Sequence, residues 1–68
     1  MFDWNDVRFF IAVAREGSTL AAGRLLRVSQ TTVARRVAAL EAALGVPLFE
    51  KRQAGYALTP LGQSLLEG

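Results

Sequence analysis

Ser18-Thr19-Leu20-Ala21-Ala22-Gly23-Arg24-Leu25-Leu26-Arg27-Val28-Ser29-Gln30-Thr31-Thr32-Val33-Ala34-Arg35-Arg36-Val37-Ala38-Ala39-Leu40 is the stretch that decides how this chain folds. Two serines, Ser18 and Ser29, each stand directly before a run of helix-forming residues, where a side-chain oxygen satisfies the free amides of a helix start. The first run, about Thr19 to Leu26, is short, and Ala21, Ala22, Leu25 and Leu26 make it mostly small or apolar, which lets another helix approach closely. The second carries Val33, Val37, Leu40 and Leu44 along one helical face. Only Arg27 and Val28 break the two runs apart, and helices joined by so short a turn must cross steeply. That is a helix-turn-helix.

Working outward, an apolar-periodic segment from about Asn5 to Glu16 precedes it, with Val7, Phe10, Ile11 and Ala14 at helical spacing and Phe9 and Val13 widening the stripe. Asp3 can cap this helix with Asp6 three residues on, and Gly17 supplies the left-handed residue that ends it. Downstream, Gly45 ends the long helix and Pro47 prevents its continuation. Leu48 to Leu58, with Phe49, Tyr56 and Leu58 around Gln53-Ala54-Gly55, then reads as a short hairpin, with the wing at about 49–58. Thr59-Pro60 is an N-cap followed by proline at the first helical position, opening a fourth helix with Leu61, Leu65 and Leu66. Such a helix is too short to be stable alone, so it packs on the first three or begins a longer one. The expected fold is mainly α, a winged helix-turn-helix with a three-helix core, a short β-hairpin wing and the start of a C-terminal linker helix.

Composition narrows the function. The chain has 68 residues, enough for one small domain with a thin core, and no cysteine or histidine to staple it through a disulfide or a metal. The same absence removes the commonest catalytic bases and nucleophiles, the carboxylates are scattered or at helix caps, and no glycine-rich phosphate loop follows a strand. We therefore expect no enzyme, no metal and no cofactor. No basic segment leads into a long apolar run and no uncharged stretch is long enough to span a bilayer, so the default expectation is a soluble cytoplasmic protein. The formal charge is +2. It is unevenly spread: Asp3, Asp6 and Glu16 lie upstream of a segment, Gly17 to Leu40, that holds Arg24, Arg27, Arg35 and Arg36 and no acid. A local basic surface of this kind suits nucleic acid.

The long helix, about residues 30–44, carries the chemistry. At about 100° per residue with Val33 inward, Val37, Leu40 and Leu44 fall within about 40° of it. Thr31 and Arg35 then point directly away; Thr32 and Arg36 lie on one shoulder, Gln30 and Ala34 on the other. Arginine grips guanine O6 and N7 in two places, glutamine does the same to adenine, threonine meets a base edge or a phosphate, and alanine lets the helix sit deep against a thymine methyl. The helix start near Ser29 adds free amides and a positive dipole for a phosphate oxygen. Several residues have a second reading. Ser29 is a cap before it is a phosphate ligand, and Ser18 and Thr19 serve as caps or as backbone contacts. Arg36 either faces DNA or lies along the buried stripe, paired with Glu41 or Glu50. Arg35 has no acid at helical spacing on its own helix, which favours an external anion. Lys51 and Arg52 enter the hairpin, where they reach a minor groove or simply remain solvated.

Taken together, Phe9 to Ala14, Glu16-Gly17-Ser18, Ala22, Leu26, Val28-Ser29-Gln30, Val33, Arg35, Val37, Leu40-Glu41, Leu44-Gly45-Val46-Pro47-Leu48-Phe49 and Leu58-Thr59-Pro60-Leu61-Gly62 resemble the N-terminal domain of LysR-type transcriptional regulators over nearly the whole chain. The resemblance implies a bacterial transcription factor that binds an imperfect inverted-repeat operator in double-stranded DNA as a homodimer paired through the linker helix, assembling into tetramers in the full-length protein. It divides the chain into a DNA-binding domain, 1–58, and the start of a dimerisation helix, 59–68, and implies a longer regulator whose effector-binding domain is absent here. Carried over residue by residue, groove contacts fall on Gln30, Thr31, Ala34 and Arg35, backbone contacts on Ser18 and Thr19, and wing contacts on Lys51 and Arg52. The chain departs from the family pattern where Thr31 and Ala34 replace a proline or serine and a serine, and where Ala54, Gly55 and Ala57 stand in a wing that usually holds more arginines.

Two other readings compete. Molybdate-responsive regulators share a similar winged domain, although the whole pattern favours LysR. A winged helix can also be a protein-interaction module, but that reading asks for an apolar patch among the outward residues, and Thr31, Thr32, Arg35 and Arg36 offer none.

Overall fold

A computed structural model of the chain describes residues 4–53 and 55–67; Asp3, expected as a helix cap, and Ala54, expected at the hairpin tip, lie outside the described residues. The elements follow as α1 (Trp4–Glu16), α2 (Thr19–Leu26), α3 (Gln30–Leu44), β1 (Phe49–Arg52), β2 (Gly55–Leu58) and α4 (Pro60–Glu67). The serines cap as their positions predict: Ser18 Oγ accepts from the Ala21 amide and Ser29 Oγ from the Thr32 amide, each at 3.1 Å. Between α2 and α3 the chain turns at Arg27, which adopts the left-handed conformation at φ 61°. The Val28 amide then bonds back to the Gly23 carbonyl at 2.9 Å. A Cβ on Gly23 would stand 2.7 Å from the Val28 carbonyl oxygen, so the tight return of the turn requires glycine there.

The three helices close over Phe9, Phe10, Ala12, Val13, Ala22, Val33, Val37 and Leu40, with Leu48 and Phe49 completing the core from the start of the hairpin. Leu44 departs from the expected buried stripe: it is 36% exposed. It sits at the last turn of α3 and lines an apolar depression with Trp4, Ile11 and Leu65. Trp4, Leu61 and Leu65 are likewise exposed, so the α1–α4 side carries an apolar surface.

The hairpin hangs on this core by polar clamps as much as by packing. Glu41, on α3, accepts from the backbone amides of Leu48 at 2.7 Å and Phe49 at 3.2 Å. Regular strand pairing begins at Phe49, opposite Leu58. Thr59 donates its hydroxyl to the Pro47 carbonyl at 2.8 Å and accepts from the Gly62 amide at 3.0 Å, so one buried side chain both caps α4 and ties it to the approach to β1. A Cβ on Gly62 would overlap the Leu48 carbonyl oxygen, which is why α4 can cross there only with glycine. At the other strand, the Tyr56 amide bonds to the Gly17 carbonyl at 3.0 Å, fixing β2 to the α1–α2 junction. Phe49 joins the layers, with its ring 5.4 Å from that of Phe10 and 5.8 Å from that of Tyr56.

Candidate nucleic-acid interface

The start of α3 and the hairpin face each other across a cleft of about 380 Å³ lined by Thr19, Gln30, Thr31, Ala34, Lys51 and Tyr56. Three elements meet here because of their periods. Val33, Val37 and Leu40 turn one side of α3 into the core, which leaves the Gln30 and Ala34 shoulder toward the hairpin and Thr31 and Arg35 exposed. In the hairpin, Phe49 pairs with Leu58 and Lys51 with Tyr56. Cross-strand partners and every second residue share a face, so Phe49, Lys51, Tyr56 and Leu58 lie on the core-facing side and Lys51 projects from it into the cleft. Thr19, the first residue of α2, closes the remaining edge.

Tyr56 is the member of this cleft that sequence reasoning did not single out. Its signal was present in the strand alternation that sets it two residues before Leu58, but only the pairing with Lys51 brings it to the α3 side. Its ring stands edge-on to Phe49, at 78° between planes. Its hydroxyl makes no hydrogen bond to the other described residues.

The remaining candidates separate into two groups. Ser18 and Ser29 are engaged as caps, and Ser29 Oγ also lies 2.9 Å from Thr32 Oγ1, so these hydroxyls brace the starts of α2 and α3. Arg35 is exposed and has no ion-pair partner among the described residues. Arg52 lies on the outer face of the hairpin and bonds Glu50 at 2.6 Å. Both partners are well exposed, so the pair is weak and open to exchange. Arg36 does have an internal partner, but neither Glu41 nor Glu50: its Nη1 stands 3.8 Å from Oδ1 of Asp6. Glu41 is engaged with the β1 backbone instead, and the Arg36 shoulder of α3 faces α1. Asp6, read in the sequence as the residue that caps the start of α1 together with Asp3, is 5% exposed. No acid stands in the first turn of α3 to offset the positive end of its dipole.

A capped helix whose outer side offers amide, hydroxyl and guanidinium groups, set beside a basic hairpin, is a winged helix-turn-helix of the DNA-binding class. Residues 4–63 match the family described as bacterial regulatory helix-turn-helix protein, lysR family, and the chain belongs to that family. It is a DNA-binding domain of the LysR type. It is 46% identical over 65 residues to the HTH-type transcriptional regulator TfdS of Cupriavidus pinatubonensis, covering 96% of this chain and 22% of that protein. It therefore spans less than a quarter of that relative's length. Among solved structures it resembles the CbnR DBD in its complex with DNA, with a TM-score of 0.93 and 42% identity over 97% of this chain and 76% of that one. It also resembles the BenM DBD in complex with benA site 1 DNA, with a TM-score of 0.91 and 29% identity over 97% of this chain and 74% of that one. Among the described residues no helix is long and apolar enough to cross a membrane.

Proposed function

We propose that this chain reads an imperfect inverted-repeat operator, with α3 in the major groove and the 49–58 wing near the minor groove, as part of a cytoplasmic transcriptional regulator that does no catalysis. The observation that carries this reading is the cleft in which Gln30, Thr31 and Ala34 from the reading helix, Thr19 from the supporting helix and Lys51 from the wing converge, beside an exposed Arg35 with no ion-pair partner among the described residues. Gln30, Thr31, Ala34 and Arg35 meet base edges. Ser18, Thr19, Ser29 and Thr32 lie along the flanking phosphates, together with the amides they brace. Lys51 and Arg52 serve the wing, with Arg52 exchanging Glu50 for a phosphate.

Residues 59–68 belong, in this reading, to a linker helix through which two copies pair, and tetramers form in the full-length regulator. The exposed Trp4, Leu61 and Leu65 support this assignment because apolar side chains gathered on one side need a cover. Pairing matters for affinity as well as symmetry, since a second reader tethered on the same duplex binds at high effective concentration.

The test is a selection from random duplexes using the chain fused to a dimerising helix, followed by a salt titration on the enriched sequence. A two-fold repeat bound with an affinity that falls steeply in salt is the expected result. Failure to enrich any duplex, with a protein partner captured in its place, overturns the reading in favour of an interaction module.

A further inference from the structure

The sequence places two arginines side by side on the reading helix, and they meet different surroundings. Arg35 points away from the core and has no ion-pair partner among the described residues. Arg36, one residue and about 100° further round, lies on the α1 side, opposite the shoulder that lines the cleft. There it meets Asp6. The Asp6 side chain is 8% exposed against 49% for Arg36, and its Oδ1 is buried without a hydrogen-bond partner among the described residues.

We infer that Asp6 is a positioning residue that selects which arginine reaches DNA: its buried carboxylate holds Arg36 on the α1 side of α3 and leaves Arg35 as the DNA-facing guanidinium. This rests on the reading of α3 as the DNA-facing helix. The physical ground is an asymmetry between two acceptors for one guanidinium. A DNA phosphate is solvated and carries its own counterions, so it loses little when one arginine stays away. Oδ1 of Asp6 is shielded from water and has no hydrogen-bond donor among the described residues, so departure of Arg36 strands charge in a poorly solvated site. The half-exposed guanidinium therefore stays with the acid for which no other cation stands near among the described residues. Asp6 is removed from the DNA face yet governs recognition, because a second arginine free to reach the backbone adds affinity for every duplex and none for a particular sequence.

The experiment compares the chain with Asp6→Asn and with Asp6→Asn/Arg36→Gln, measuring affinity for the selected duplex and for a random one against salt concentration, with circular dichroism as the check on folding. Releasing Arg36 in Asp6→Asn is expected to tighten binding to the random duplex, lower the preference for the selected one, and steepen the slope of log K against log salt by about 0.9, the contribution of one phosphate. A fourfold rise in salt then weakens the variant about three to four times more than the parent. The double variant, which keeps neither charge, is expected to return to the parental slope. A parental slope in Asp6→Asn overturns the inference. So does a slope in the double variant shallower than the parent's by about 0.9, because Arg36 would then already be on the DNA.

Where Asp6→Asn does not fold, the double variant alone decides between those outcomes. Where neither folds, the Arg36 Nε–Hε resonance of the unaltered chain decides: no shift on adding duplex supports the inference and a large one contradicts it. Arg35→Ala separates the underlying readings, since a slope unchanged in that variant counts against the orientation of α3 and not against the role of Asp6.

Discussion

The first half of α3 and the β1–β2 hairpin look into the same cleft, but they are held there by different means. The helix is set by local rules: a serine cap, a glycine stop, and Val33, Val37 and Leu40 pressed into a shared core. The hairpin is two four-residue strands with only Phe49 buried among those of β1, and its placement rests on long-range polar contacts from Glu41, Thr59 and the Gly17 carbonyl. A reading element built on the core keeps its geometry as long as the domain folds. One held in part by a few hydrogen bonds can be loosened while the domain stays folded, which makes the placement of the hairpin separable from the stability of the helices.

The largest expected effect breaks the helix side of this contrast. Val37→Asp buries an unpaired carboxylate at a residue that is 3% exposed, a cost of several kcal/mol against the roughly 5–15 kcal/mol that holds a typical domain together. Helical circular dichroism should be lost, and a folded variant would show that α3 is mounted otherwise than described. Next comes the wing side. Glu41→Gln loses the charge of an acceptor that holds two amides, which should lower stability by about 1–3 kcal/mol. Hydrogen exchange should speed up first at the Leu48 and Phe49 amides while Val37 stays protected; equal acceleration at all three would erase the distinction between the two regions.

Arg35→Ala sharpens the contrast from the other direction. It should weaken binding to the selected duplex by about 1–3 kcal/mol and leave the melting temperature nearly unchanged, because this side chain is exposed. Smallest of all, Glu50→Gln opens the exposed pair with Arg52, with an expected stability change within about 0.5 kcal/mol. A larger loss in thermal melting would mean that the outer face of the hairpin supports it after all.

The same contrast explains what could be read from the sequence alone. Ser18, Ser29, Gly17, Gly45 and Thr59-Pro60 mark helix ends through local chemistry, and the helical period points Thr31 and Arg35 outward without knowledge of any neighbour. Those elements and that part of the site were readable. What escaped depends on residues far apart in sequence. Nothing near Glu41 announces that its carboxylate spans seven residues to the Leu48 amide. The pairing of Arg36 with Asp6 joins α3 to α1 across thirty positions, where spacing on one helix suggests only nearer acids. Tyr56 joins the site through strand pairing and not through its own segment. Leu44 keeps the helical period of the buried stripe but lines an open depression, and periodicity alone cannot show where cover ends.

In the proposed function, the cleft side of α3 and the inner face of the wing together form the surface that meets DNA. Amide chemical-shift mapping of the isotopically labelled chain, titrated with the selected duplex, tests it most directly. The largest shifts are expected at Thr19, Gln30, Thr31, Ala34, Arg35, Lys51 and Tyr56, with little change at Trp4 and Leu65. Shifts centred on Trp4, Leu61 and Leu65 with the cleft unmoved would contradict it.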